Sequence, residues 1–371
     1  MYGLQFLVSN QTNPYWNIAV ENYLLSLPET EVVTLYLWKN RRTVVIGQNQ
    51  NPFSEVNVEA LEADGGYLMR RSTGGGAVYH DDGNINFSFV VPKALYDQTR
   101  QFRVIQRAVE SFGLHTELSG RNDILVDCLP ACGGNPRNPD NRLNEISQDS
   151  FGPDKSWKSK GNLQDFQDFA ERENSMRKFS GNAFSKGRYQ DLHHGTILIK
   201  GNMEDLQRYL KPKPAKLQKH GVASVRSRVV NLSELNPEIT SDSIIPRLKE
   251  AFLSEYSDGY AGVPPALPAD FSEIIQRPEV CALYEQFASP EWKYGRWRSF
   301  TAQRTAQFDW GGVELSLTID NDVITDVQLA SDALDLAALD EARRLLTGAD
   351  VKKRPPTASA IVNDILSLVY D

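Results

Sequence analysis

The 371-residue sequence has few cysteines and no long hydrophobic run. Cys128, Cys132 and Cys281 are too few and too oddly numbered for a disulfide framework, which indicates a reducing compartment. No apolar run reaches the roughly 18 residues that a membrane span requires. The first residues also lack the basic and apolar segments of a secretory signal. We therefore expect a soluble cytoplasmic protein.

Two common nucleotide-binding motifs are also missing, because neither G-x-x-x-x-G-K-[ST] nor G-x-G-x-x-G occurs in the chain. A net charge of −8 and a pI near 5.3 disfavour nonspecific binding to nucleic acid or to an anionic membrane. The partner expected from composition is therefore a small molecule or another protein. Any nucleotide must be held by a loop of another kind.

What the sequence does contain is a glycine-rich segment, residues 70–84, in which Arg70 and Arg71 stand close to Gly74, Gly75 and Gly76. Glycine lets backbone N–H groups approach a ligand closely, and arginine grips carboxylate or phosphate through two hydrogen bonds. This composition indicates an anion site. On composition alone, a glycine-rich hairpin turn with solvated arginines is an equal alternative.

Helices and strands alternate along the first half of the chain. Capping residues predict a helix that begins at Pro14 after Asn13, and a helix over residues 101–112 that ends at Gly113. Apolar, β-branched runs predict strands at residues 32–38, 43–47, 66–70, 84–91, 124–126 and 196–200. We expect the first two to form a hairpin and the next two to flank the glycine-rich segment. The pattern indicates an α+β fold with mixed, largely antiparallel sheets flanked by helices.

The length favours two domains over one. Residues 1–258 are predicted to form a large N-terminal domain, interrupted by a polar insertion at 129–176 with a short helix near 163–171. A glycine- and proline-rich linker is predicted at 259–271, and an accessory α+β domain at 272–371. That domain should contain a hairpin of residues 313–319 and 323–329, then helices over 332–347 and 358–370 with Thr357 as a cap.

Further motifs give the glycine-rich segment its context. An RND motif occupies residues 121–123, K-x-SG-x-A begins at Lys178, and HHGT occupies residues 193–196. The segments N-x-A-V-E at 17–21, VVIG at 44–47, SVRSRV at 224–229 and WGGVEL at 310–315 complete the set. In this order the motifs resemble the lipoate-protein ligase A family, over nearly the whole chain except residues 129–176.

The resemblance implies the biotin/lipoate ligase catalytic fold and a two-step reaction. Such enzymes use ATP and Mg²⁺ to convert (R)-lipoate to lipoyl-AMP with release of pyrophosphate. They then transfer the lipoyl group to a lysine of lipoyl-acceptor domains, in 2-oxoacid dehydrogenase complexes and in the glycine cleavage H protein. By the same resemblance we expect a monomer.

The resemblance also assigns site residues. Lys178 would contact both the α-phosphate and the lipoyl carbonyl, and Asp123 would orient Lys178 or hold the metal ion. The adenylate site would comprise Arg71 and the backbone of Gly76, Ala77, Val78 and Tyr79. The wall over the lipoyl group would comprise Arg70, Ser72, Gly75, His80 and His194. Lys211, Lys213, Lys216 and Lys219 would belong to a loop covering the adenylate, or to a solvated charge run.

Three alternatives stay open at this stage. The first is an ATP-independent octanoyl or lipoyl protein transferase, which needs an activated cysteine, and Cys128 is the candidate. The second is a biotin ligase, which uses a different glycine-arginine loop. The third is a lipoate-binding protein that has lost catalysis.

Overall fold

The computed structural model describes residues 2–28, 31–120, 122–128, 175–211, 229–258, 260, 270–294, 302–320 and 322–370. The strands are β1 Gly3–Val8, β2 Val32–Trp38, β3 Thr43–Ile46, β4 Tyr67–Arg70, β5 Val78–His80, β6 Asn84–Pro92, β7 Thr116–Ser119, β8 Asp123–Asp127, β9 Met176–Lys186, β10 Gln190–Leu198, β11 Ala302–Phe308, β12 Gly311–Asp320 and β13 Val323–Ser331. The α-helices are α1 Pro14–Ser26, α2 Pro52–Glu55, α3 Val58–Ala63, α4 Gln98–Glu110, α5 Met203–Tyr209, α6 Leu232–Leu235, α7 Ser241–Glu255, α8 Phe271–Ile275, α9 Pro278–Ala288, α10 Pro290–Tyr294, α11 Leu336–Leu346 and α12 Ala360–Tyr370. A 3₁₀ helix covers Lys93–Leu95.

A seven-stranded sheet in the order β1-β2-β6-β10-β9-β8-β7 is the centre of the large domain. Among the six strand pairs described in it, β1–β2 is parallel and the other five are antiparallel. Alternate residues of β2 face opposite sides. Val33 and Leu35 belong to the core shared with α4 and α7, whereas Tyr36 and Trp38 belong to the core shared with α1. The expected α+β class is confirmed.

A smaller sheet in the order β4-β3-β5 carries the glycine-rich segment, with its loop, residues 71–77, between β4 and β5. The hairpin predicted for residues 32–47 is wrong, because β2 pairs with β1 and β6 while β3 pairs with β4 and β5. Asn40, in the predicted turn, is instead fully buried and bonded to Asn17. The strands flanking the glycine-rich segment, β4 and β6, also lie in different sheets.

The two helices predicted in the large domain are confirmed. The side chain of Asn13 accepts a hydrogen bond from the Tyr15 N–H at the start of α1. α4 covers the second region, and Gly113 follows it with φ of 80°. The predicted strand at residues 196–200 is the end of a longer strand, β10, which stops at Leu198.

The C-terminal residues form an antiparallel sheet, β11-β12-β13, covered by α11 and α12. The predicted β12–β13 hairpin is confirmed. Helix α11 begins at Leu336, later than expected, because the Asp335 side chain caps it. The cap of α12 is Ser359, whose hydroxyl accepts from the Val362 N–H, and Thr357 accepts from the N–H of Ser359 instead.

Helices α8 and α9 share a core with α1, through Phe271, Ile274, Val280 and Phe287. The C-terminal core begins at Ala302. Helices α8 and α9 thus pack with the large domain, whereas the linker predicted at 259–271 falls almost wholly outside the described residues and stays a prediction. The helix predicted near residues 163–171 lies outside the described residues. None of the described helices is long and apolar enough to cross a membrane.

Candidate active site

A cavity of about 800 Å³ lies between the α1 side of the large sheet, the loop of residues 71–77 and the C-terminal domain. One part of its wall is apolar and comes from Ile18, Trp38, Val45 and Met69. Another part is polar and comes from Asn122, Asp123, Lys178, Asn182 and Arg71. Its volume is in the range of small-molecule sites, and its walls suit a ligand with an aliphatic part and an anionic part.

Lys178 and Asp123 meet because their strands, β9 and β8, pair in the large sheet. Lys178 Nζ lies 2.7 Å from Asp123 Oδ1, and each side chain is 34% exposed. The pairing skips Phe179, so β9 carries one extra residue there, and this bulge brings Lys178 and Gly181 to the same face of the strand. A Cβ atom at Gly181 would lie 2.9 Å from Lys178 Nζ. The K-x-SG motif therefore clears space for the lysine side chain.

The Arg71 guanidinium is held inside its own loop. Its Nη2 donates to the carbonyl oxygens of Gly74 at 2.7 Å and Gly76 at 2.9 Å, and its Nε donates to Thr73 Oγ1 at 3.0 Å. Burial lowers the pKa of Arg71 to about 10, although the negative charge of Glu21 acts to raise it. The guanidinium therefore stays cationic at neutral pH. Arg71 thus presents a fixed positive charge at the cavity wall.

A chain of buried hydrogen bonds supports this arginine from behind. His194 Nδ1 lies 2.8 Å from Glu21 Oε2, and His194 Nε2 lies 2.8 Å from Thr73 Oγ1. If Nδ1–H donates to the carboxylate, Nε2 accepts from the Thr73 hydroxyl, which in turn accepts from Arg71. Glu21 and Thr73 are fully buried. The chain connects the carboxylate on α1 to the guanidinium at the ligand cavity.

A second buried histidine fixes the amide at the other wall. Asn182 Nδ2 donates to the Asn122 carbonyl at 3.0 Å and to Ser180 Oγ at 3.3 Å, so its Oδ1 is left to accept from His193 Nε2 at 3.0 Å. Burial lowers the pKa of His193 well below 6.5, and the ring is neutral. With Nε2–H donated, Nδ1 of the neutral ring is an acceptor, so the Gln101 side-chain amide 2.8 Å away must present its NH₂ group to it. His193 therefore supports Asn182, which lines the cavity.

His80 lines the cavity and is 3% exposed. Burial lowers its pKa to about 3, with further contributions from the charge of Arg71 and from His194. Its Nδ1 is 3.3 Å from Asn40 Nδ2, and within the described residues its Nε2 has no hydrogen-bond partner. A neutral ring with Nδ1 as acceptor carries its proton on Nε2.

The C-terminal domain closes part of the cavity. Asp309, Trp310, Asp332 and Leu334 line it, together with residues of the loop of residues 71–77. The Gly75 N–H donates to the Ala333 carbonyl at 3.1 Å. Gly75 has φ of 94°, a backbone conformation that favours glycine, and this turns its N–H toward the C-terminal domain.

Not every residue assigned from the sequence faces the cavity. Arg71, Gly75, Gly76, Ala77, Val78, His80, Asp123, Lys178 and His194 line it. Arg70 does not, because its buried guanidinium donates to backbone carbonyls, including those of Trp292 at 2.9 Å and Gln50 at 2.7 Å. The Tyr79 side chain lies on the opposite side of β5, where its hydroxyl donates to Asp205, and the assignment of its backbone to the adenylate site stays a prediction. Ser72 is not among the lining residues.

The lysine-rich segment is described only at Lys211, whose Nζ donates to the Phe53 carbonyl at 2.9 Å. Lys213, Lys216 and Lys219 lie outside the described residues, as do Arg121 and most of the SVRSRV segment. The last residue of the SVRSRV segment, Val229, forms a β-bridge with Lys178.

Cys128 is unsuited to covalent catalysis in this arrangement. It is not among the residues that line the cavity, and burial raises the pKa of its thiol, whereas a nucleophilic cysteine needs a lowered pKa. Among the described residues, no three His, Cys, Asp or Glu side chains are grouped so that they could share a metal ion.

Comparison with known proteins identifies the family. Residues 13–253 match the model of the lipoyl protein ligase A/B catalytic domain. The chain belongs to the lipoyl protein ligase A/B family. Residues 298–355 match the C-terminal domain of bacterial lipoate protein ligases. A lipoate-protein ligase A from Psychrobacter cryohalolentis is 35% identical over 350 residues, which cover 94% of this chain and 88% of the relative.

Solved structures agree with the fold. P. falciparum LipL1 in complex with lipoate has a TM-score of 0.73 and 26% identity, and the match covers 99% of each chain. A lipoate-protein ligase A bound with ATP has a TM-score of 0.54 and 21% identity, over 80% of this chain and 99% of that one. The family matches, with the ligase C-terminal domain, support an ATP-dependent lipoate-protein ligase over the ATP-independent transferase.

Sequence reasoning missed the supporting residues of the site. Glu21 lies in a matched motif, but its role becomes visible only when the fold brings it to His194. A carboxylate between buried Val20 and Tyr23 on α1 is the available signal, since an acidic residue on a buried helix face needs a partner. Asp309 and Asp332 also line the cavity, and no feature of the sequence predicted this.

Proposed function

We propose that the cavity binds lipoate along its apolar wall and ATP along Arg71 and Lys178. The observation that carries this proposal is the position of two cationic side chains beside an apolar pocket in one cavity. Attack by one anion on another needs positive charge at the point where they meet. The neighbours with bound lipoate and bound ATP support the same pair of ligands.

In the first step a carboxylate oxygen of lipoate attacks the α-phosphorus of ATP. The new P–O bond forms as the bond to the β-phosphate oxygen breaks, and pyrophosphate leaves with the electron pair. Lys178 Nζ stabilises the negative charge that builds on the α-phosphate oxygens, and Asp123 holds the ammonium in position. Arg71, fixed by its loop, contributes a second charge without reorganisation.

In the second step an acceptor lysine takes the lipoyl group. Its amine nitrogen attacks the acyl carbon, the C–N bond forms, and AMP leaves with the electron pair of the broken C–O bond. Starting from an ammonium, the step releases two protons. Lys178 stays against the carbonyl oxygen, where it stabilises the negative charge of the tetrahedral intermediate.

A magnesium ion would neutralise phosphate charge, and Asp123 is the candidate ligand because its carboxylate lines the polar wall beside Lys178. One protein carboxylate is adequate, since Mg²⁺ keeps several waters and binds substrate phosphates. The acceptors implied by the family are lipoyl domains of 2-oxoacid dehydrogenase complexes and the glycine cleavage H protein. We further propose a monomer, since one chain supplies both sides of the cavity, and a cytoplasmic location.

The test is lipoate-dependent ATP–pyrophosphate exchange in the wild-type protein and in Lys178→Met. We expect exchange in the wild type and a loss of at least about 100-fold in the variant, the scale for removal of a transition-state donor. Lys186→Met is the matched control, because Lys186 is exposed on the same strand and does not line the cavity. Near wild-type exchange in Lys178→Met would refute the assignment.

A further inference from the structure

A buried hydroxyl, that of Ser88, extends the hydrogen-bond chain behind Arg71 to the apolar wall of the cavity. The Trp38 Nε1–H donates to Ser88 Oγ at 3.0 Å, and the Ser88 hydroxyl donates to Glu21 Oε2. Ser88 is fully buried on β6, directly opposite His194 of β10. Trp38 lines the cavity, whereas Ser88 and Glu21 are not among its lining residues. The carboxylate of Glu21 therefore receives hydrogen bonds from the direction of both walls.

The two ends of the chain fix the direction of the hydrogen bonds in it. The indole nitrogen can only donate, so Ser88 Oγ accepts and directs its own proton to Glu21. At the other end Arg71 Nε can also only donate, which leaves the Thr73 hydroxyl proton for His194 Nε2. The imidazole Nδ1–H then donates to the carboxylate. Both halves of the chain therefore end on Glu21 Oε2, which accepts two charge-assisted hydrogen bonds.

The bond to Ser88 also determines what Trp38 presents to the cavity. Nε1–H is the only polar group of the indole, and it is engaged by a hydroxyl outside the cavity lining. The ring therefore contributes apolar surface to the wall. Without the Ser88 hydroxyl, the buried N–H either stays unpaired, which costs free energy, or turns the ring toward another acceptor, which displaces the wall.

We infer that Ser88 and Glu21 are positioning residues of the active site. Ser88 holds the indole of Trp38 in the wall that faces the lipoyl chain, and Glu21 holds both this indole and the Arg71 guanidinium from one carboxylate oxygen. A site works only when its contacting groups are held in place by such supporting hydrogen bonds. The inference rests on the proposed function, which puts lipoate at the apolar wall and ATP at Arg71.

The test is the lipoate-dependent exchange assay, with the concentrations of lipoate and ATP varied in turn. For Ser88→Ala we expect the KM for lipoate to rise at least about fivefold, the equivalent of one lost hydrogen bond. The KM for ATP should stay near its wild-type value, because the half of the chain that holds Arg71 is intact. Thr73→Val should give the opposite split, with the KM for ATP raised and that for lipoate unchanged.

Two further sets of variants test the route of the effect. Glu21→Leu removes the shared acceptor, so both KM values should rise, and Glu21→Gln should restore part of each loss because its amide oxygen can take the place of Oε2. In a Trp38→Phe background, Ser88→Ala should raise the KM for lipoate no further, since phenylalanine has no N–H for the serine to accept.

Thr116→Val is the control for loss of a buried hydroxyl, because Thr116 is 4% exposed, donates to Glu110 and does not line the cavity. It should leave both KM values unchanged. Wild-type KM values in Ser88→Ala would overturn the inference, as would equal rises for lipoate and ATP or an undiminished effect in the Trp38→Phe background. Absence of exchange in the wild-type protein would instead overturn the proposed function.

Discussion

Thr73→Val removes one hydroxyl from the middle of the buried chain that supports Arg71. The side chain is fully buried and does not line the cavity. Valine has nearly the same shape, so the substitution changes hydrogen bonding with little change in packing. Its effect should therefore report the support given to Arg71.

The expected loss of stability follows from two contacts. His194 Nε2 loses its partner at 2.8 Å and stays buried, which costs about 1–3 kcal/mol. Arg71 Nε loses one of its two acceptors and keeps the Gly74 carbonyl at 3.1 Å, so this contact adds about 1 kcal/mol. We expect a total of about 2–4 kcal/mol. Thr73→Ser keeps the hydroxyl and should cost only about 1 kcal/mol for the lost methyl group.

Urea denaturation of the wild type and both variants measures the stability change, and lipoate-dependent exchange as a function of ATP concentration measures the effect on the site. A loosened guanidinium should raise the KM for ATP in Thr73→Val and leave it near wild type in Thr73→Ser. Equal stability and equal KM in the two variants would refute the chain as the support of Arg71.

Two further predictions concern the buried histidines and the domain contact. The pKa of His80 is lowered to about 3 and that of His193 well below 6.5 in the folded protein. As the pH falls, these histidines are therefore protonated in the unfolded chain at a higher pH than in the folded protein. The contribution of His80 is complete above pH 6.5, and stability should fall by about 2 kcal/mol for this ring between pH 7 and 5 in urea denaturation, with a further fall from His193; a flat profile would contradict this. A Cβ atom at Gly74 would lie 2.2 Å from the Ala333 carbonyl oxygen, so Gly74→Ala should lower the melting temperature and expose the linker to proteolysis. Gly76→Ala, with nothing within 4 Å of the added atom, should not, and equal behaviour of the two would exclude the clash.

Local features of the fold were predictable because local contacts determine them. The Asn13 cap of α1 and the β12–β13 hairpin involve residues that are close in sequence. Partner choice in the sheets was not predictable in the same way. β2 is a continuous apolar run buried on both faces, and such a run indicates a strand without indicating its neighbours. Hence the hairpin of β2 with β3 was wrong.

In the candidate site, too, the sequence predicted some residues, whereas contacts that depend on strand register were not predictable. The motifs predicted Lys178 and Asp123, whose side chains meet at 2.7 Å through strand pairing. The bulge at Phe179, which puts Lys178 over Gly181, depends on the register between two strands and leaves no sequence pattern. Arg70 and Arg71 are equivalent in sequence, yet alternation along the chain sends one guanidinium to the cavity and the other to the carbonyls of α10.

The central claim is that this chain joins lipoate to a protein lysine at the expense of ATP. Mass spectrometry of an apo lipoyl domain incubated with the protein, ATP, Mg²⁺ and lipoate tests it most directly. We predict the mass increase of one lipoyl group, on one lysine, only when ATP and lipoate are both present. Modification without ATP, or none with all components present, would contradict the account.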